Sequence, residues 1–114
     1  MHEMSVALNI VKISEDKAKA ENIEAFSAID LEIGSLAGIE LDALKSVWPA
    51  AIKNSALESA EMRIIEIKAQ ANCRSCNTEF TVDFLYDNCP SCGSFQKHII
   101  CGQELRIKAL EIPD

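Results

Sequence analysis

Cys73-Arg-Ser-Cys76, followed after twelve residues by Cys89-Pro-Ser-Cys92-Gly93, is the part of the chain from which its organisation follows. Each C-x-x-C pair forms a tight turn whose two sulfurs point the same way, so four thiols can converge on one ion. Zn²⁺ prefers four thiolates in a tetrahedron at about 2.3 Å. The spacer is shorter than the roughly 15–20 residues usual for this pattern, but it leaves room for a short hairpin. The spacing therefore predicts a four-cysteine zinc ribbon.

Two alternatives share these four sulfurs. A rubredoxin-like iron site uses the same ligands, and two disulfides would form in an oxidising compartment. The chain opens without a basic region followed by an apolar one, so we expect a cytoplasmic, reducing environment, in which such pairs indicate metal binding or redox chemistry. The fifth cysteine, Cys101, is interpreted as a small apolar strand residue, with an accessory thiol or alternative ligand as the other interpretation.

The charge of the chain restricts its partners. The formal net charge over 114 residues is −7, and four thiolates around Zn²⁺ would make it more negative. Nucleic-acid binding depends on neutralising phosphates with Lys and Arg, so we expect no nucleic-acid partner. No apolar run approaches the roughly 20 residues needed to span a bilayer, so we expect no membrane association.

Apolar periodicity outlines the remaining elements. Helices are predicted over residues 3–20 and 40–53, and strands over 29–33, 61–71 and 104–112. In the first helix the predicted apolar stripe is Met4, Ala7, Leu8 and Val11, widened by Val6, Ile10 and Ile13. Trp48 is interpreted as a core residue, and Pro49 predicts a kink or restart of the second helix.

The fold class that follows is α+β. A three-stranded sheet is packed by two helices, and the four-cysteine zinc ribbon is inserted before the last strand. The predicted boundaries are residues 1–70 plus 101–114 for the α+β domain and 71–100 for the ribbon.

Within the ribbon an apolar alternation predicts a further strand with an aromatic face. Four of the chain's six aromatic residues lie here: Phe80, Phe84, Tyr86 and Phe95. A segment of about thirty residues buries little surface by itself, so we expect these aromatics to form its small core and metal binding to supply much of its folding energy.

The two histidines of the chain, His2 and His98, suggest a second metal site. The terminal amine of Met1, the backbone nitrogen of His2 and its imidazole can form a planar, nitrogen-rich chelate. Such a set suits Ni(II) or Cu(II). Glu3, through its backbone or its carboxylate, or His98 could fill the open position. The alternative is that His2 is simply a residue at a chain end.

The chain as a whole resembles the HypA family of nickel metallochaperones. The resemblance is carried by Met1-His2-Glu3-Met4-Ser5, by the run from Leu31 to Glu40 (LEIGSLAGIE), by the paired C-x-x-C unit and by Gly102-Gln103-Glu104-Leu105-Arg106-Ile107. It covers essentially the whole chain, and the Met-His-Glu start combined with a downstream four-cysteine unit is highly specific.

The resemblance implies a function and assigns residues to it. It implies Ni(II) cargo at Met1, His2 and Glu3, with His98 as a further nickel ligand, and structural Zn(II) at Cys73, Cys76, Cys89 and Cys92. The implied partners are the GTPase HypB and the [NiFe]-hydrogenase large subunit, and some members also serve urease. Transfer of an ion is not turnover, so we expect no enzyme activity. The alternative function is a zinc-ribbon scaffold or interaction protein without nickel transfer.

Overall fold

The computed structural model describes residues 3–114, which form two helices and six strands. In chain order these elements are α1 (Glu3–Ala20), β1 (Ala28–Gly34), α2 (Leu41–Ile52), β2 (Glu61–Ile67), β3 (Gln70–Cys73), β4 (Glu79–Thr81), β5 (Lys97–Cys101) and β6 (Leu105–Glu111). One sheet has the strand order β2-β1-β6 and a second has the order β4-β3-β5. The predicted α+β fold with an inserted ribbon is confirmed.

The chain divides into two compact units. The first contains the described part of Met1–Leu31, together with Ile39–Ile65 and Arg106–Asp114, and the second contains Glu32–Gly38 and Glu66–Leu105. The domain boundaries proposed from the sequence stay a prediction. None of the helices formed by residues 3–114 is long and apolar enough to span a membrane.

The core of the first unit includes buried residues of α1, α2 and β1. Ile29, Leu31 and Leu44 are at most 1% exposed, and Trp48 is buried, as predicted. Ring and aliphatic burial of this kind supplies the main stabilisation of a small unit. The helix α2 continues through Pro49, so of the predicted kink or restart the restart is wrong and the kink stays a prediction.

The buried face of α1 differs from the predicted stripe. It consists of Val6, Ala7, Ile10, Ser14 and Ala18, whereas Met4 and Leu8 are 38% and 50% exposed. The buried face includes Ser14, a polar residue. Its hydroxyl donates to the carbonyl of Ile10 at 2.9 Å, so the side chain can be buried without water. A pattern of apolar residues does not predict that a serine is buried in this way.

The predicted strand over residues 61–71 is two strands in two sheets. β2 ends at Ile67 and β3 begins at Gln70, and the residue that precedes β3, Ala69, is completely buried. The register of β3 against β5 shifts between Gln70 and Ala71, directly after this change of sheet.

The sheet of the second unit is antiparallel. β3 pairs with β4 through Ala71 and Phe80, and with β5 through Ala71 and Ile99. Its buried residues are Ala69, Ala71, Cys73, Phe80, Val82 and Cys89. Period-two alternation places Ala71 and Cys73 on one face of β3, and two of the six buried residues, Cys73 and Cys89, belong to the C-x-x-C pairs.

Candidate metal centre

The first cysteine pair lies in a turn closed by backbone hydrogen bonds. The amide of Cys73 donates to the carbonyl of Thr78 at 2.8 Å, and the carbonyl of Cys73 accepts from Asn77 at 2.9 Å. The amide of Cys76 points at the Cys73 sulfur, 3.4 Å away. Asn77 has φ 64°, a left-handed conformation that asparagine tolerates better than most residues.

The second pair repeats this geometry. The amide of Cys89 donates to the carbonyl of Ser94, and its carbonyl accepts from the amide of Gly93, both at 2.8 Å. Here the left-handed position belongs to Gly93, with φ 79°, and the amide of Ser91 lies 3.4 Å from the Cys89 sulfur. Two equivalent turns therefore aim their sulfurs at one point, as the sequence predicted.

The four sulfurs form a compact cluster. Sγ of Cys73 lies 3.6 Å from Sγ of Cys92, and Sγ of Cys76 lies 3.6 Å from Sγ of Cys89. All four lie within 4.8 Å of one another. A tetrahedron with metal–sulfur bonds of about 2.3 Å has edges of about 3.8 Å, so the cluster fits a thiolate-bound zinc ion.

The thiols are free in the structure. The 3.6 Å separations far exceed a disulfide bond of about 2.05 Å, so the two-disulfide alternative does not describe this geometry. Cys73 and Cys89 are buried and Cys76 and Cys92 are exposed, which leaves the cluster covered on one side and open on the other.

The surroundings favour thiolate at one side of the cluster. The hydroxyl of Thr78 lies 3.1 Å from the Cys76 sulfur, and this contact, followed by the bond from the Thr78 backbone, lowers the pKa of Cys76 to about 6. The amide of Cys76 in turn lowers the pKa of Cys73. Hydrogen bonds to a thiolate stabilise its charged form.

The neighbouring thiols have the opposite effect on the pKa of the fourth cysteine, Cys92. The backbone of Ser94 lowers the pKa of Cys92, but contact with Cys73, desolvation and contacts with the other thiols outweigh it and raise that pKa to about 12. Four neighbouring thiolates repel one another unless a cation lies between them. The donor set is therefore one that a divalent metal completes.

The other predicted site residues do not belong to this cluster. Met1 and His2 lie outside the described residues. The carboxylate of Glu3 accepts a hydrogen bond from the backbone nitrogen of Glu40 at 3.1 Å. His98 is exposed on β5 opposite Asn72 of β3. Cys101 ends β5, as its interpretation as a strand residue predicted, with its sulfur 3.5 Å from the carbonyl of Lys68.

Sequence reasoning missed the groups around the sulfurs and misplaced the aromatics. The contact of Thr78 with Cys76 could have been suspected from its position two residues after a cysteine of the tetrad. The predicted strand ends at Thr81, and Phe84, Tyr86 and Phe95 are exposed. Only Phe80 among the four ribbon aromatics is buried, so the predicted aromatic core is wrong.

A sulfur tetrad held by two such turns in a small antiparallel sheet defines a metal-binding ribbon protein. Comparison with known proteins identifies its kind. A family model described as "Hydrogenase/urease nickel incorporation, metallochaperone, hypA" matches residues 1–112, and this chain belongs to the HypA family.

Individual relatives agree with this assignment. The hydrogenase maturation factor HypA of Chlorobium phaeobacteroides is 40% identical over 98% of this chain and 99% of its own. That of Chlorobium luteolum is 41% identical over 100% of this chain and 97% of its own. The resemblance drawn from the sequence is confirmed.

Solved structures show the same fold. The solution structure of the Ni metallochaperone HypA from Helicobacter pylori superposes with a TM-score of 0.69 at 24% identity, over 98% of this chain and 97% of its own. A second solution structure of a HypA protein gives 0.71 at 25% identity, over 99% and 97%. The chain is a nickel-incorporation metallochaperone by family, and this role is an accessory one in hydrogenase maturation.

Proposed function

We propose that this chain binds Ni(II) at its N-terminus and delivers it to the large subunit of [NiFe]-hydrogenase. The observation that carries the proposal is that one HypA-family chain combines a Met1-His2-Glu3 sequence with a sulfur tetrad suited to a separate metal. One site retains its ion and the other can release it. Delivery requires this division of labour.

Zinc is the ion we assign to Cys73, Cys76, Cys89 and Cys92. Thiolate donors at tetrahedral separations suit Zn²⁺, and its charge would stabilise the thiolate of Cys92, which contacts with the other thiols and desolvation disfavour. Two of the six residues that form the buried cluster of the ribbon are these cysteines. Zinc therefore stabilises the fold of the ribbon and takes no part in transfer.

Nickel is assigned to Met1, His2 and Glu3, with His98 as a further ligand. Amine, backbone nitrogen and imidazole donors favour a planar Ni(II) site. Few side chains hold the ion, so a competing acceptor can remove it. The exposure of His98 leaves its imidazole accessible to an ion.

The proposed partners are the GTPase HypB and the hydrogenase large subunit, in the cytoplasm. The chain has no G-x-x-x-x-G-K-[ST] sequence, which is the usual loop for binding nucleotide phosphates. GTP hydrolysis is therefore assigned to the partner. Service to urease is a further role that the family description includes.

Metal analysis and Ni(II) titration of the untagged chain test the proposal. Tightly bound zinc and one titratable nickel are expected in the wild type. His2→Ala should lose nickel and keep zinc, and His98→Ala should weaken nickel binding without removing it. Cys101→Ser is the matched control and should bind both metals normally.

Three results would overturn parts of the proposal. Iron in the tetrad would replace the zinc assignment by a rubredoxin-like one. Nickel affinity that is unchanged in His2→Ala would remove the N-terminal site. Zinc binding with no nickel binding at all would leave the alternative function, a zinc-ribbon interaction protein.

A further inference from the structure

The four sulfurs of the tetrad form two close pairs, and each pair joins one C-x-x-C turn to the other. Sγ of Cys73 lies 3.6 Å from Sγ of Cys92, and Sγ of Cys76 lies 3.6 Å from Sγ of Cys89. We call these two contacts the cross-turn pairs. Their thiols are free, so both pairs are reduced in this structure and can be oxidised.

Each cross-turn pair combines one exposed sulfur with one buried sulfur. Cys92 and Cys76 are exposed, whereas their respective partners, Cys73 and Cys89, are buried. A thiolate reacts with an oxidant that can reach it, and a buried structural cysteine is inert. The exposed member of each pair is therefore the site of first attack, and the buried member is the thiol placed to complete a disulfide.

Hydrogen bonds that do not involve sulfur hold the two turns against each other. The hydroxyl of Ser75 donates to the hydroxyl of Ser94 at 2.9 Å. The amide of Arg74 donates to the carbonyl of Gln96 at 3.0 Å. These bonds keep the cross-turn pairs adjacent at the moment when oxidation of one sulfur weakens its bond to a metal ion.

We propose that the tetrad is a redox switch, in which hydrogen peroxide joins Cys92 to Cys73 and Cys76 to Cys89 and the chain releases its zinc. The inference rests on the zinc assignment made in the proposed function. Disulfides between the turns connect the same two segments that the ion connects, so the oxidised ribbon keeps its strands. Disulfides within the turns would leave the two segments unconnected.

Oxidation of each cross-turn pair consumes one peroxide and two electrons from sulfur. The exposed thiolate attacks one peroxide oxygen, the O–O bond breaks, and a sulfenic acid and a hydroxide ion form. The buried thiolate then attacks the sulfenic sulfur, a disulfide forms and a second hydroxide ion leaves. A dithiol reductant reverses the step by thiol–disulfide exchange, which restores four donors for the metal.

Titration of the purified, zinc-loaded full chain with hydrogen peroxide tests the switch. A chelating dye should detect loss of all bound zinc after two peroxides per chain. Free thiols counted in denaturant should fall from five to one, which is Cys101. Dithiothreitol with added zinc should restore the starting state. Zinc that stays bound, or oxidation that dithiothreitol does not reverse, would overturn the proposal.

Peptide mass spectrometry identifies the disulfides that form. Trypsin cleaves after Arg74, which separates the cysteines of the first turn, and fragmentation before Pro90 separates those of the second. We expect the two cross-turn linkages, and Cys101→Ser, the matched control, should give the same pair. At low peroxide, dimedone should label Cys76 and Cys92. Disulfides within the turns, linkage to Cys101, or label on the buried sulfurs would overturn the proposal.

The hydroxyl contact between the turns has its own test. Ser75→Ala combined with Ser94→Ala removes it and should shift the products towards disulfides within the turns. Ser59→Ala is the control, because Ser59 is exposed in the other unit, and it should leave the products unchanged. Equal products from both variants would overturn the role of this contact.

Hydrogen exchange distinguishes the switch from simple unfolding. The amides of β3 and β5 should stay protected in the oxidised, zinc-free chain, whereas they should lose protection when a chelator removes zinc from the reduced chain. Loss of protection in both states would show that the disulfides do not replace the ion, and would overturn the proposal.

Nickel titration of the reduced wild type separates this proposal from the proposed function. A chain that forms the cross-turn disulfides but binds no nickel would overturn nickel delivery and leave the redox switch intact. A chain that binds nickel but keeps its zinc in peroxide would overturn the switch alone.

Discussion

The side chain of Glu3 forms a structural hydrogen bond in addition to the nickel-binding role proposed for this residue. Its carboxylate accepts the backbone amide of Glu40, the residue that precedes α2 and caps it without a side-chain hydrogen bond of its own. An unpaired amide at a helix start costs stability. The residue assigned to nickel is therefore also a structural link between the beginnings of α1 and α2.

Substitution of Glu3 separates these two roles. Glu3→Ala removes the acceptor and should lower the free energy of unfolding by about 1 kcal/mol. Glu3→Gln keeps an oxygen that can accept the amide of Glu40 and should lose less. Urea unfolding measures the difference, and equal losses in both variants would mean that the negative charge matters rather than the hydrogen bond.

Nickel titration of the same pair decides how Glu3 binds its ion. If the carboxylate is a ligand, Gln and Ala weaken nickel binding alike. If Glu3 contributes its backbone nitrogen, Gln keeps wild-type affinity.

At the residue scale the sequence predicted the convergence of the four cysteines better than the groups that surround them. The four cysteines converge because each pair is fixed by a local turn, and local turns follow from spacing. The exposure of Phe84 and Tyr86 was not predictable in this way. Their alternation with polar residues suits a strand equally well, and the turn that interrupts it depends on Asp87 reaching back to two amides.

At the scale of elements, two backbone segments of the second unit approach closely at Gly102. It has φ 113°, and a Cβ there would lie 2.3 Å from the Cα of Ala69. The carbonyl of Gly102 also accepts the amide of Leu36 at 2.7 Å. Backbone, unlike a flexible side chain, cannot move aside cheaply.

Gly102→Ala should therefore lower the free energy of unfolding by about 2–4 kcal/mol, from strain at positive φ and from overpacking. The matched control is Gly38→Ala, since Gly38 has φ 77° but no atom within 4 Å of its Cβ position. Only the conformational cost of about 1 kcal/mol applies there. Denaturant midpoints of the two variants give the comparison, and losses of equal size would contradict the steric explanation.

Strand boundaries were the least predictable part of the elements. The apolar alternation of β2 and β3 is continuous enough to suggest one strand, because both segments meet the same demand for burial on one face. The change of sheet depends on contacts distant in sequence, such as the amide of Ala69 donating to the hydroxyl of Ser35 at 3.0 Å. The apolar pattern of a short segment contains no information about a hydrogen-bond partner that is distant in sequence.

At the scale of the whole molecule, removal of zinc should unfold the ribbon and leave the core of the first unit folded. The buried cluster of the ribbon has six residues, two of which are cysteines of the tetrad, so we expect its fold to depend on the metal. Chelation of zinc should abolish hydrogen-exchange protection in β3, β4 and β5. The amides of α1 and α2 should stay protected, because the core around Leu44 and Trp48 contains no ligand.

Cysteine variants test the same dependence without a chelator. Cys89→Ser should lose zinc and the protection of the ribbon strands. Cys101→Ser should keep both, since that sulfur contacts the carbonyl of Lys68 and not the tetrad. Persistent protection of β3 in Cys89→Ser would show that the ribbon folds without its metal.

Acidification should release the two metals in a fixed order, nickel first. The proposed nickel donors are an amine and an imidazole, which ordinarily gain protons near about pH 8 and about 6.5 respectively, so protons displace nickel as the pH falls through this range. The pKa of Cys76 is depressed to about 6 and that of Cys92 is raised to about 12, so the metal-free tetrad keeps a proton that Zn²⁺ displaces when it binds. Bound zinc shifts protonation of the four sulfurs to lower pH, because protons must compete with the metal for each sulfur. A pH titration that follows nickel by absorbance and zinc by a chelating dye should show zinc retained after nickel has left, and simultaneous loss of both ions would contradict two separate sites.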